Sequence, residues 1–109
     1  MTLDEFLSKA YPRNAYVTFP GMARLYVRQG GYLINSEIRE DTIQIASVES
    51  SSPGNGAFRK LIEYLTENHP DSTIVVECVL VDRMAEILEH MGFDQINLSS
   101  GRHFALLSS

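Results

Sequence analysis

Residues 47–93 constrain the fold most tightly, because two strongly periodic helical stretches there flank one unbroken apolar run. Phe58, Leu61, Ile62 and Leu65 fall at i, i+3, i+4 and i+7, while Lys60, Glu63 and Glu67 face the other way, so an amphipathic helix is expected. His69-Pro70-Asp71 stops it. The run from Thr73 to Leu80 is β-branched and nearly continuous, the pattern of a strand covered on both faces. Asp82 then reads as the cap of a second helix, in which Met84, Ile87, Leu88 and Met91 repeat the same spacing, and Gly92 ends it in a left-handed position. A strand, a crossover helix and a further strand predict a parallel pair at the centre of a sheet.

The flanking segments read as simpler units. Thr2 and Glu5 fit a capping box, and Leu3, Phe6, Leu7 and Ala10 give a short helix that ends at Tyr11-Pro12. Phe19-Pro20-Gly21 is a break. Ala23 to Arg28 alternates, with Leu25 and Val27 on one side and Arg24, Tyr26 and Arg28 on the other. Gly30-Gly31 reads as a hairpin turn, Tyr32 to Ile34 resumes the strand, and Glu37 to Asp41 is a charged turn. Thr42 to Glu49 alternates again, but Val48 is out of phase with Ile43 and Ile45, which predicts a β-bulge. These three strands are expected to form an antiparallel meander. Phe93 to Leu98 and His103 to Leu107 make a closing hairpin around Ser99-Ser100-Gly101. The order αβββαβαββ predicts an α+β fold with helices crossing a mixed, mostly antiparallel sheet. At 109 residues the chain suits one domain, spanning 1–109.

Charge and composition narrow the functional classes. A net charge of −5 with nine scattered Lys and Arg argues against nucleic-acid binding. No apolar run reaches the length of a membrane span, and the expected setting is the cytoplasm. The one cysteine, Cys78, sits in the apolar run and reads as a small core residue. His69, His90 and His103 have no metal-ligand spacing, so no metal is expected. His69 reads as a helix-end residue, His90 as exposed, and His103 as part of the last strand.

Between the bulged strand and the first long helix lies Pro53-Gly54-Asn55-Gly56. A glycine-rich turn there aims unpaired backbone N–H groups and the positive end of a helix dipole at one point, a ready site for a phosphate.

With these residues placed, the chain resembles the GNAT superfamily of N-acetyltransferases over roughly its whole length. That family opens its central helix with Gln/Arg-x-x-Gly-x-Gly/Ala, and the matching stretch is Pro53-Gly54-Asn55-Gly56-Ala57-Phe58. Its second segment is matched by residues 77–84 and by Leu88-Glu89-His90-Met91-Gly92-Phe93. The resemblance implies a three-layer fold, with helices on both faces of the sheet, in which acetyl-coenzyme A lies where the central parallel strands splay apart. Pro53, Gly54, Asn55, Gly56, Ala57, Phe58 and Arg59 would then meet the diphosphate. The bulge at Ser47 and Val48 would face the pantetheine arm. The chain departs from the family at Pro53, at Phe58, whose place in the apolar stripe turns it inward, and at Leu88, where many relatives carry a tyrosine acid.

Acetyl transfer to an amine calls for a base, since an ammonium of pKa about 10 is mostly protonated at neutral pH. Glu77 is the leading candidate, as the only charge in an apolar run, where burial raises a carboxyl pKa. The other reading of Glu77 is a carboxylate paired with Arg83 or another cation. Glu49, Gln44 and Glu40 are weaker candidates. Tyr26 and Tyr32 either line a groove or pack on each other. The expected activity is acetyl-coenzyme A-dependent transfer to a primary amine, on a protein or a small molecule, by a monomer or a homodimer. The alternative is a GNAT-fold protein without turnover that binds a partner protein.

Overall fold

The computed structural model describes residues 1–8, 14–51, 56–77, 79, 81–96 and 101–107. Among these, three helices and six strands run in the order α1 (Leu3–Leu7), β1 (Asn14–Tyr16), β2 (Met22–Ile34), β3 (Glu37–Ser50), α2 (Ala57–Asn68), β4 (Thr73–Val76), α3 (Asp82–His90), β5 (Asp94–Ile96) and β6 (His103–Leu106). The strands form one mixed sheet of order β1-β2-β3-β4-β6-β5, and the fold is a compact α+β domain. No helix among the described residues is long and apolar enough to cross a membrane.

The local signals explain most of these elements. Thr2 Oγ1 accepts from the Glu5 amide and Glu5 Oε1 accepts from the Thr2 amide, which completes the capping box of α1. Helix α2 buries Phe58, Leu61, Ile62 and Leu65 and keeps Lys60, Glu63 and Glu67 outside, as its spacing requires. Helix α3 ends as a Schellman motif: Phe93 N–H donates to Leu88 and Gly92 N–H to Glu89, with Gly92 at φ +92°. Its start differs from expectation. Val81 is the cap, while Asp82 is the first helical residue and its carboxylate holds Arg102 at 2.9 Å.

The meander forms, but from other pieces. Gly30 and Gly31 lie inside β2, where the register skips Gly31, and β2 runs unbroken to Ile34. The reversal comes at Asn35-Ser36, both at positive φ (48° and 74°), the geometry of a two-residue primed turn. Glu37 to Asp41 is therefore strand rather than turn. Asn14–Tyr16 supplies the third strand. Tyr26 and Tyr32 share β2 and do not pair; Tyr26 stacks at a tilt on Tyr16, with centroids 4.7 Å apart.

β3 and β4 pair in parallel through Thr42–Thr73 to Ile45–Val76. The bulge lies at Ala46, the residue that the β2 register skips between Ile45 and Ser47. Val27, Ile45, Val76 and Phe104 form one cross-strand row, and their cluster also takes in Leu3 and Phe6 of α1, the α2 stripe, and Ala85 and Leu88 of α3. The second cluster, on the opposite side of β4, holds Ile34, Val75, Ile96 and Ala105 with Tyr32 and contains no helical residue. The expected helices on both faces are thus not found: the described residues make two layers, with every helix on one side. Strand and helix periodicity fix which residues are buried but not the face on which each connection crosses.

Leu61 is fully buried at the centre of this layer. Leu61→Ala is expected to cost about 2–5 kcal/mol in urea unfolding, and Lys60→Ala less than about 0.5 kcal/mol. Equal effects would place the α2 stripe elsewhere.

Candidate functional site

The β3–β4 ladder ends abruptly. Its last bond runs from the Glu77 amide to the Ile45 carbonyl at 3.0 Å, and the Val79 amide turns instead to the Arg102 carbonyl at 2.8 Å. Beyond Ile45, β3 continues to Ser50 paired with β2 alone among the described residues. The bulge at Ala46 coincides with this parting.

At the mouth of the gap is a cavity of about 550 Å³, within the usual range for small-molecule sites. Ser50 closes β3 on one side, Gly56 to Arg59 open α2 above it, and α3 contributes Arg83, Met84, Ile87 and His90 together with one carboxylate, Glu86. Among the described residues, no acceptor meets the N–H groups of Ala57, Phe58 or Arg59, as expected for the first turn of a helix whose cap, Gly56, has no side chain. These donors, the helix dipole, and the side chains of Arg59 and Arg83 make this end of the cavity suited to an anion. Phe58 is 6% exposed and belongs to the core, so its ring leaves the first turn clear.

The position of that turn is set by a close approach. Gly21, at φ +86°, accepts from the Ser51 amide at 2.9 Å, and a Cβ there would lie 2.7 Å from the Ala57 Cβ. Only glycine lets the chain before β2 lie against the first helical residue of α2.

Of the residues expected to bind a cofactor, Gly56, Ala57, Phe58 and Arg59 come together around this cavity. Pro53, Gly54 and Asn55 lie outside the described residues, as does Cys78. Ser47 and Val48 lie on β3 beside the gap but do not line the cavity, whose β3 contact is Ser50. Periodicity marks the α3 side chains only as a core stripe with an exposed histidine, and gives no sign that they border a cavity; His90 is exposed, and it faces that cavity.

Glu77 lies at the other end of the gap, on the sheet face turned away from the helices, because it shares the parity of Val75 rather than that of Val76. Its carboxylate accepts from Arg28 Nη2 at 2.5 Å and from the Tyr32 hydroxyl at 3.1 Å. Pairing with a cation is thus part of its role, and the partner is Arg28, 49 residues away, rather than Arg83. The Arg28 side chain keeps 41% exposure, so the pair is nearer in worth to a surface ion pair, about 0–1 kcal/mol, than to a buried one. Glu49 stands opposite Arg24, Glu40 is exposed, and Gln44 is buried and hydrogen-bonded to Thr42. Among the described residues no group of three His, Cys, Asp or Glu is gathered as for a metal.

A wider cavity, about 700 Å³, lies between α1 and α2 around Phe19, Pro20 and Tyr64. It lacks the converging donors and cations found at the α2 N-terminus. Comparison with protein-family models, with curated proteins and with solved structures gives no match to this chain.

Gly21→Ala is expected to destabilise the fold by about 1–3 kcal/mol, since it combines a clash with an unfavourable backbone angle. Adding Ala57→Gly should recover the steric part only, so the two changes should be non-additive in urea unfolding. Strict additivity would show that Gly21 does not seat α2.

Proposed function

We propose that the chain is an acetyl-coenzyme A-dependent N-acetyltransferase of the GNAT type. The observation that carries this reading is the coincidence of three features: a parallel strand pair that parts after a bulge, a cavity at its mouth, and helix N-terminal amides, met by no acceptor among the described residues, flanked by two arginines.

Acetyl-coenzyme A would supply an acetyl group already activated as a thioester. The amides of residues 57–59, with Arg59 and Arg83, would hold its diphosphate. These residues suit a diphosphate, since among the described residues no acceptor meets the first-turn donors and no atom lies within 4 Å of a Cβ at Gly56, while Phe58 is turned inward. At Ser47 and Val48, β3 pairs with β2 alone among the described residues, and its edge on the β4 side would offer hydrogen bonds along the gap. Glu77, on the far face at the gap's edge, would take the proton that the amine gives up, directly or through water. Arg28 and Tyr32 orient it, and the Tyr32 hydroxyl is a proton donor on the same carboxylate. Leu88 is buried and offers no proton, so the departing thiolate would take its proton from water.

That same buried Leu88, with Glu77 already engaged by two partners, favours a second reading: a protein of this fold that binds without turnover. Thermal unfolding with acetyl-coenzyme A tests the first part of the proposal. At a hundred times its dissociation constant, the ligand should stabilise the fold by about 2.7 kcal/mol. Arg59→Glu should abolish that gain, and Glu77→Gln should keep it while lowering the rate of transfer. No stabilisation at millimolar ligand would remove the cofactor assignment. Binding with an unchanged Glu77→Gln rate would remove only the base.

A further inference from the structure

The sheet face that carries Glu77 holds a second, smaller cavity of about 370 Å³. Asn14, Arg28 and Gln44 stand in one cross-strand row over β1, β2 and β3, and Gly30 with Gly31 borders them. Gln44 is 4% exposed, and its Nε2 donates to Thr42 Oγ1 at 2.8 Å and to the Gly31 carbonyl at 3.3 Å. Those bonds fix the carboxamide beside Arg28.

Arg28 is only partly used. Glu77 takes one terminal nitrogen, whereas the Nε is buried and meets no acceptor among the described residues. A guanidinium presents five donors in a planar fork, and with Nη2 alone engaged among the described residues and the side chain 41% exposed, its terminal edge remains for a second planar group with two acceptor oxygens. The Glu77 charge already lies on the same guanidinium, which disfavours a phosphate dianion relative to a singly charged carboxylate. The cavity is at the lower end of the small-molecule range, which suits a small ligand rather than a polypeptide.

We propose that this cavity is a carboxylate subsite formed around Arg28 and bordered by Asn14, Gln44 and the Gly30-Gly31 segment. On the transferase reading, on which this step rests, the acceptor is a small amine that carries a carboxylate, of the free amino acid class. Its carboxylate lies on Arg28 and its amine beside Glu77, neighbours 2.5 Å apart at their charged groups.

The test uses the full chain, isotopically labelled, titrated with acetylglycine and separately with acetylglycinamide, while the Arg28 Nε–H and the Gly30 and Gly31 amide resonances are followed. Acetylglycine is expected to shift these signals saturably, and the uncharged amide to bind at least about tenfold more weakly. Arg28→Lys keeps a cation for Glu77 but removes the planar fork, and should weaken acetylglycine at least about fivefold. Asn14→Asp, at an exposed position in the same row, should weaken it without touching the ion pair. Equal binding of acid and amide, no saturable shift, or indifference to both variants would overturn the subsite. Acetyl-coenzyme A stabilisation measured alongside separates the two ideas. Carboxylate binding without it keeps the subsite and overturns the transferase; the reverse overturns the subsite alone.

Discussion

Among the described residues β3 and β4 stay paired for four residues each, and the rest of the site is arranged around the point where they separate. A parallel ladder runs until one strand ends, because buried backbone groups need partners, and β4 ends at Val76, the partner of Ile45. The extra residue at Ala46 bends β3 while it keeps its bonds to β2, and the Val79 amide bonds to Arg102 instead. The result is a gap with backbone edges, α2 opening at one end and a carboxylate on the opposite face. Ligand sites in sheets with crossover helices commonly form at such a switch, beyond the carboxyl ends of the strands.

Two contacts hold the gap in shape. Gly21 lies so close to Ala57 that the start of α2 is fixed against the chain before β2, while Leu61, Ile62 and Leu65 anchor the rest of the helix in the core. Burial of side chains of this size contributes about 1.5–3 kcal/mol each, enough to keep an uncapped helix start in place. On the other face, Arg28 spans from β2 to Glu77, and Tyr32 reaches the same carboxylate from further along β2. The helix side can therefore meet an anion while the strand side presents an acid–base pair, and the sheet separates the two chemistries.

What could be read from the residues in order was local. The α2 stripe, the Thr2–Glu5 box and the Gly92 stop each follow from periodicity or capping within a few residues and formed, while the strand expected over Thr73 to Leu80 formed, among the described residues, only as Thr73–Val76. Gly30-Gly31 misled because glycine pairs are common in turns, whereas here they serve a bulge and the turn falls to Asn35-Ser36. Asn and Ser tolerate that role less freely than glycine, so the signal was weaker than the one that won. The Arg28–Glu77 pair joins residues 49 apart, and only the cross-strand register could reveal it. The placement of all helices on one side likewise depends on the direction of each crossover, which no local pattern encodes. Of the glycine motif itself, Gly56 and the residues after it are described, and they open the cavity.

If first-turn amides of α2 grip a diphosphate at the mouth of the parted strand pair, as proposed, a crystal structure of the chain with coenzyme A will show it. Diphosphate oxygens are then expected about 2.7–3.2 Å from the backbone nitrogens of residues 57–59, the ordinary N–H···O range, with the thiol end directed along β3 toward Glu77. Coenzyme A seated in the α1–α2 cavity, or those amides bonded to oxygens of the protein itself, would contradict it.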